Sequence, residues 1–166
     1  MRVVVTTEIA APRPVVWEYL IDPDRYREFM DGMTHWKPEG NTRHGLGARF
    51  SMRMRIGAAE LGNLIEVVEF DPPADLAWTS VTGVDQRGRW RLRAVGERTH
   101  VELRISYYAA GGIMARLADL VAAPIVRRHL QRSLQQLKRQ VETPARQRSG
   151  AASIPRHGRR LAARVR

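Results

Sequence analysis

The sequence predicts an α+β fold in which an antiparallel sheet curves around one long helix near the end of the chain. Residues 3–10 alternate between apolar and polar side chains, as strands do, and lead to Pro14, which suits the first position of a helix. Residues 35–108 form a series of strand patterns separated by turns, and residues 113–141 carry apolar side chains at helical spacing. A sheet folded around a helix leaves an interior gap, which side chains or a ligand must fill.

Two short helices are predicted after the first strand. The first begins at Pro14 and ends before Asp22-Pro23. Asp22 is a good N-cap and Pro23 a good first helical residue, so a second helix is expected to start there. It carries Tyr26 and Phe29 toward the interior.

Six further strands follow, with short turns between them. Glycine, proline and aspartate mark these turns, among them Gly45-Leu46-Gly47 and Asp71-Pro72-Pro73. Such short connections force neighbouring strands to run antiparallel. The predicted strands cover residues 35–39, 48–56, 61–70, 76–82, 87–94 and 99–108, which with the first strand makes a seven-stranded sheet.

Side-chain alternation predicts the inward face of three of these strands. Apolar residues occupy every second position of 48–56, 87–94 and 99–108, and polar residues, many of them arginines, lie between them. The inward set is Phe50, Met52, Met54, Ile56, Trp90, Leu92, Val101, Leu103, Ile105 and Tyr107. The strand at 61–70 stays ambiguous, because each of its phases contains apolar residues and a glutamate.

Those two glutamates, Glu66 and Glu69, are the central strand carboxylates that could reach the interior. A desolvated glutamate has a raised pKa and can act as an acid or a base. The sequence favours the other interpretation, in which both pair with arginines on the outer face. The histidines lack metal-ligand spacing, and no nucleophile elbow or phosphate-binding loop is present.

The closing helix changes its apolar face at Pro124. At about 100° per residue, Ile113, Leu117 and Leu120 lie on the face of Pro124, and the later apolar residues lie on a displaced face. That later set is Val126, Leu130, Leu134, Leu137 and Val141. Because proline removes a helical hydrogen bond and clashes with the preceding turn, we expect a kink or a short break at Pro124.

Length and composition limit the class of protein. The 166 residues suffice for one domain with a substantial core. No apolar run approaches the roughly 20 residues that cross a bilayer, and the N-terminus lacks the apolar region of a secretory signal. We therefore expect a cytoplasmic protein, with peripheral membrane contact as an open alternative. The absence of cysteine excludes disulfides, thiolate metal sites and a cysteine nucleophile, and no metal or cofactor is expected.

The net charge of +11 belongs mainly to the last 23 residues. Residues 144–166 hold seven arginines and no acid, which leaves 21 basic against 17 acidic residues in 1–143. We expect 1–143 to be the folded domain and 144–166 a disordered basic tail. Such a tail can bind an anionic membrane surface or, unspecifically, nucleic acid. The residues expected to make these contacts are Arg156, Arg159, Arg160, Arg164 and Arg166.

Several segments of residues 1–142 resemble the START-like, or helix-grip, superfamily, in particular its polyketide cyclase/dehydrase and lipid-transport members. The segments that carry the resemblance are Pro14-Val15-Val16-Trp17, Asp22-Pro23, Tyr26-Arg27-Glu28-Phe29, Asp71-Pro72-Pro73, Leu76-Ala77-Trp78, Gly88-Arg89-Trp90, Thr99-His100-Val101-Glu102-Leu103 and the helix at 130–138. The resemblance implies a helix-grip fold whose sheet and long helix enclose an apolar cavity. The expected lining is Phe50, Met52, Met54, Trp78, Trp90, Leu92, Leu103, Tyr107, Leu117, Leu120 and Val121, although these residues would equally serve as plain core.

Three functions are compatible with this pattern. The first is binding or carriage of an apolar small molecule, such as a lipid, an isoprenoid or a polyketide-like compound. The second is a cyclase or dehydratase acting on a polyketide-like substrate, which would need polar groups converging in the cavity. No catalytic set can be matched residue by residue, so the sequence favours a non-enzymatic role. The third is an interaction module directed at the ribosome or RNA, toxin-like in behaviour, which the basic tail would serve.

Overall fold

A computed structural model of the chain describes residues 1–108 and 113–143, with the side chains of 1–108 and 122–143. The predicted basic tail and the predicted side-chain contacts of Leu117, Leu120 and Val121 lie outside the described residues. The elements, in chain order, are β1 (Arg2–Ile9), α1 (Arg13–Ile21), α2 (Tyr26–Phe29), β2 (Met33–Glu39), β3 (Arg49–Ile56), β4 (Ala59–Asp71), β5 (Asp75–Gly83), β6 (Gln86–Val95), β7 (Arg98–Tyr107) and α3 (Ile113–Glu142).

All seven strands form one antiparallel sheet in the order β1-β7-β6-β5-β4-β3-β2. The sheet curls into a half-barrel, and α1, α2 and α3 pack against its inner face. The predicted α+β helix-grip fold, with two short helices after the first strand, is therefore confirmed.

The start of α2 differs from the prediction. α1 has Pro12 at its N-cap and Pro14 at its second position, but α2 begins at Tyr26 and not at Pro23. Asp22 instead caps a turn, because its Oδ1 accepts a hydrogen bond from the backbone N–H of Asp24 at 3.0 Å. Tyr26 and Phe29 face the interior as expected.

The helix α3 passes through Pro124 without the predicted break, so that alternative is wrong. A proline costs one helical hydrogen bond and crowds the preceding turn, which one position in a long helix can tolerate. The apolar face after Pro124 is buried as predicted, through Val126, Leu130, Leu134 and Leu137.

Polar side chains of α3 cover the free edge of β1. Arg127 Nη1 donates to the carbonyl of Val4 at 3.0 Å, and Lys138 Nζ donates to the carbonyl of Glu8 at 2.5 Å. The carboxylate of Glu142 accepts the N–H of Ala10 at 2.6 Å. An edge strand offers unpaired backbone groups to other chains, so these contacts both hold α3 in place and close that edge.

A second attachment joins α3 to the turn between α2 and β2. His129 Nδ1 lies 2.6 Å from Asp31 Oδ2, and the hydroxyl of Ser133 accepts the backbone N–H of Asp31 at 2.9 Å. Gly32 has a φ of +80°, and a Cβ there would press against the carbonyl of Arg55. The turn can approach both α3 and β3 because this position has no side chain.

The strand β4, which the sequence left ambiguous, changes phase at a bulge. Asn63, Ile65 and Val67 are buried, and a register shift between Val67 and Glu69 turns Phe70 inward after them. Both glutamates point outward, where Glu66 Oε2 accepts from Arg49 Nε at 2.6 Å and Glu69 pairs with Arg89. The favoured interpretation of these carboxylates is thus confirmed.

Candidate functional site

The interior of the half-barrel contains a stack of three aromatic rings contributed by separate elements. Trp36 of β2 lies between Tyr26 of α2, at 4.2 Å between ring centroids, and Phe50 of β3, at 4.3 Å. The planes are within 17° of parallel in both pairs. The stack fills the centre of the space between the sheet and the helices.

Two small apolar cavities lie in this interior. One has a volume of about 40 Å³ and opens toward the loop that carries His44 and Gly45. The other, of about 20 Å³, lies beside Met52, Met54 and Tyr107. Both are lined by Tyr26, Trp36, Ile65 and Trp78, which therefore form the partition between them.

Trp78 reaches its place in the partition because residue 88 is a glycine. Trp78 on β5 pairs in register with Gly88 on β6. A Cβ added at Gly88 would overlap three atoms of the Trp78 indole at well under 3.0 Å. The indole thus lies across the bare backbone of β6, an approach that any other residue would block.

The interior contains hydrogen-bonding groups, and no carboxylate is among the described residues that line either cavity. The Trp36 indole N–H is buried and has no hydrogen-bond partner among the described residues. By contrast, Trp90 Nε1 donates to the hydroxyl of Tyr26 at 3.2 Å, and the amide of Asn63 donates to the carbonyl of Val84 at 2.6 Å. The side-chain amide of Gln86 donates to the sulfur of Met52 at 3.7 Å.

Two interior tyrosines are held as neutral phenols. Burial raises the pKa of Tyr26 to about 12, an effect that its hydrogen bond from Trp90 opposes but does not cancel. Burial also raises the pKa of Tyr107 to about 12. At neutral pH both groups can orient a ligand oxygen by hydrogen bonding, and neither can act as a base.

The carboxylate that is most enclosed by arginines lies on the outer face. Asp75 accepts hydrogen bonds from Arg91 Nε at 2.9 Å and Arg93 Nη1 at 3.0 Å, and Arg89 Nη1 lies 3.7 Å away. Burial favours a higher pKa for Asp75, but the two hydrogen bonds and the two positive charges outweigh it and lower the pKa. This cluster neutralises three of the arginines that alternate with the inward residues of β6. The described residues contain no group of three side chains suited to holding a metal ion.

The predicted lining residues fall into three groups. Five of them line the cavities: Phe50, Met52, Met54, Trp78 and Tyr107. Trp90, Leu92 and Leu103 are fully buried but belong to the core beside the cavities. Leu117, Leu120 and Val121 are not among the described side chains.

Sequence reasoning missed Trp36 and Ile65. Trp36 lies in a predicted strand that is interrupted by Pro38, so too few positions remained to establish a phase. Ile65 lies on the ambiguous strand, where only the bulge after Val67 separates the two phases.

Solved structures with the same fold share little sequence with this chain. TTHA0849 from Thermus thermophilus matches with a TM-score of 0.75 at 19% identity, covering 85% of this chain and 97% of that one. The Zhui aromatase/cyclase from Streptomyces sp. R1128 matches with a TM-score of 0.68 at 21% identity, covering 93% of this chain and 99% of that one. A START superfamily protein from Mycobacterium smegmatis matches with a TM-score of 0.69 at 14% identity, covering 84% of this chain and 98% of that one. At these identities the likeness establishes the fold alone.

The family comparison is more specific. No curated protein gives a significant sequence match. No helix among the described residues has the length and apolar character to cross a membrane. The family model described as polyketide cyclase/dehydrase and lipid transport matches residues 1–142, a range that includes every described helix and strand. The chain therefore belongs to the polyketide cyclase/dehydrase and lipid-transport family.

Proposed function

We propose that this protein binds an apolar small molecule, such as a lipid, an isoprenoid or a polyketide-like compound, between its sheet and its helices. The observation that carries the proposal is the shared partition of the two cavities. Tyr26, Trp36, Ile65 and Trp78 separate two apolar spaces that would be one space if the indoles moved. Membership of a family that includes lipid-transport proteins supports the same function.

Binding has to widen the interior. Ligand sites in proteins usually measure about 300–1,000 Å³, whereas the two cavities measure about 40 and 20 Å³. The element best placed to yield is β2, because it is an edge strand hydrogen-bonded to β3 alone. Its Trp36 is the middle ring of the aromatic stack, so an outward shift of β2 removes the partition from one side.

The preferred ligand carries at least one oxygen. A buried donor without a partner costs about 1–3 kcal/mol, and the Trp36 indole N–H is such a donor. A carbonyl or hydroxyl oxygen placed beside it would remove that cost. The phenol of Tyr107 lines the same cavity and makes no hydrogen bond among the described residues, so it supplies a second group for the same oxygen or a neighbouring one.

The test is native mass spectrometry of the full chain purified without detergent, followed by organic extraction and by titration with a fluorescent fatty acid. Ile65→Phe fills the space at the partition, and Val68→Phe is the matched control because Val68 is exposed on the same strand. We expect an adduct or probe binding in the wild type and in the control, and its loss in Ile65→Phe. Circular dichroism identifies a variant that fails to fold.

Trp36→Phe keeps an aromatic ring in the stack but removes the N–H, so it probes the polar contact without emptying the interior. It should weaken the binding of an oxygen-bearing probe about tenfold, which is about 1.4 kcal/mol, and leave the affinity for a hydrocarbon probe unchanged. Absence of both adduct and probe binding in the wild type would contradict the proposed function. Equal binding by Ile65→Phe and Val68→Phe would contradict the proposed site.

A cyclase or dehydratase activity is the second candidate. It is favoured by two residues of one cavity lining that carry hydrogen-bond donors, Trp36 and Tyr107, which could hold a ketone in a reactive conformation. It is disfavoured by the outward direction of Glu66 and Glu69 and by the high pKa of both interior tyrosines. Turnover of a poly-β-ketone substrate that is lost in Tyr107→Phe, with probe binding retained, would establish the enzyme.

The roles expected of residues 144–166 stay predictions, because those residues lie outside the described part of the chain. Contact with an anionic membrane surface or with nucleic acid would be measured by comparing the full chain with a variant whose five predicted contact arginines are replaced by glutamine. Loss of vesicle or RNA binding in that variant is the expected result.

A further inference from the structure

The outer face of the sheet contains a basin lined by four arginines, three of which form no ion pair with a described residue. Its volume is about 370 Å³, and it is lined from three adjacent strands by Arg2 of β1, Arg104 and Ser106 of β7, and Arg87 and Arg89 of β6. It lies on the opposite side of the sheet from α3 and the cavities. We call Arg2, Arg87, Arg104 and Ser106 the outer-face basin.

Strand register brings these four residues together. Ser106 is paired with Arg2 on one side and with Arg87 on the other. Adjacent strands are about 4.8 Å apart, so the backbones of Arg2 and Arg87 lie at about equal distances on either side of Ser106. Arg104 lies two residues from Ser106 along β7, on the same face. Three arginines therefore lie beside one serine on the same face and line the same basin.

Charge in the basin is uncompensated. The neighbouring arginines of β6 are paired: Arg89 with Glu69 and Asp75, and Arg91 and Arg93 with Asp75. In the described part of the chain, Arg2, Arg87 and Arg104 take part in no ion pair. Arg104 lies directly opposite Arg89, and like charges in that position destabilise a sheet, so a bound anion would relieve repulsion in the basin.

An aromatic ring adds to the definition of the site. Tyr108 follows β7 at the rim of the basin, and the guanidinium of Arg87 lies over its ring at 5.6 Å from the centroid. This contact restrains a long side chain that would otherwise be free. The ring itself is 54% exposed, so it also offers an apolar surface beside the arginines.

The geometry points to a binding site for a phosphate monoester group, with the phosphate above Ser106. A dianion with three terminal oxygens can accept hydrogen bonds from all three guanidinium groups and from the serine hydroxyl. A carboxylate has one charge and two oxygens, and so leaves part of the basin unsatisfied. The volume admits the phosphate together with a small organic group of the kind that Tyr108 can contact. This inference does not rest on the proposed interior function.

The experiment is an NMR titration of the full chain with glycerol 3-phosphate and, separately, with inorganic phosphate, at constant ionic strength. We expect amide shifts on β1, β6 and β7 around Ser106. Arg87→Gln combined with Arg104→Gln should weaken binding about tenfold or more. The matched control is Arg53→Gln combined with Arg55→Gln, which removes the same charge from exposed arginines of β3 on the same face and should leave the affinity unchanged.

Vesicles of phosphatidylcholine with and without phosphatidic acid distinguish the two sources of the group. Basin-dependent binding of the free ester assigns the site to a soluble metabolite, and basin-dependent binding of phosphatidic acid vesicles assigns it to a lipid headgroup. Equal effects of the basin and control variants, on both ligands, would overturn the inference and assign anion binding to general positive charge. The unfolding temperature of each variant is measured alongside, so that a loss of folding is recognised separately from a loss of binding.

Discussion

Gly88→Ala tests whether the place of Trp78 depends on a missing side chain. The new Cβ would lie within 3.0 Å of three indole atoms. Non-bonded carbon atoms do not approach this closely, so the ring must move away from β6. Trp78 is only 5% exposed and is packed on both cavities. Overpacking of this kind costs about 1–3 kcal/mol. For a chain of this size, about 2 kcal/mol lowers the unfolding temperature by about 4–8 °C.

The matched control is Gly62→Ala on β4, where the nearest atoms to an added Cβ lie at 3.9 Å. That change should alter the free energy of unfolding by no more than about 0.5 kcal/mol. Differential scanning calorimetry measures both variants, and near-ultraviolet circular dichroism reports the displaced indole. A double-mutant cycle adds a second test: Trp78→Leu should lower the free energy of unfolding less in Gly88→Ala than in the wild type, because the smaller leucine relieves the overlap that the added Cβ creates. Equal stability of the two alanine variants would refute the argument.

Three further changes test the supports of the fold. Asp75→Asn should lower the free energy of unfolding by about 2 kcal/mol at neutral pH. Because the folded pKa of Asp75 lies below its ordinary value, the stabilisation by this carboxylate is complete above about pH 5 and is lost as pH falls through the folded pKa. The difference from wild type in urea unfolding should therefore shrink in acid, and a constant difference would contradict this explanation. Thr99→Val removes a buried hydroxyl that donates to the carbonyl of Ala11 at 2.8 Å. The same assay should show a loss of about 1–3 kcal/mol in the free energy of unfolding, and no loss would mean that this hydrogen bond does not stabilise the fold. Glu142→Ala frees the N–H of Ala10, so hydrogen exchange at that amide should accelerate while core amides stay protected, and an unchanged rate would contradict the edge-covering role of α3.

Alternation predicted the faces of β3, β6 and β7 because each of these strands keeps its phase from end to end. Trp90 and Leu92, for example, are buried while Arg91 between them pairs on the outside. The same reasoning could not resolve β4, since the bulge after Val67 reverses the phase and no residue in the sequence announces it. Where a strand is regular, period-two patterning determines its orientation; where the backbone adds a residue, only the partner strand reveals it.

The candidate site was less predictable than the fold for a different reason. The alternation phase of a strand predicts which way a side chain points, but it does not predict how much space remains once side chains from opposing elements have packed together. Trp36 and Tyr26 come from separate elements and stack in the space that the family resemblance implied to be a cavity. The volume of a cavity depends on contacts between segments that are distant in sequence, whereas the face on which a strand residue lies depends only on its neighbours in sequence. Gly88 illustrates the difference: its role is set by Trp78, ten residues earlier on another strand.

The two proposed sites use opposite faces of the same strands and should respond separately. On β6, Gly88 supports the interior indole, while Arg87 belongs to the outer-face basin. Adjacent residues of a strand point to opposite faces, so charge removed at Arg87 is screened from the apolar interior by the sheet itself. Ile65→Phe should therefore abolish binding of an apolar probe and leave glycerol 3-phosphate binding unchanged, and the paired replacement of Arg87 and Arg104 should do the reverse. If both variants weakened both ligands, one amphipathic molecule or a global change in the sheet would explain the result better than two independent sites.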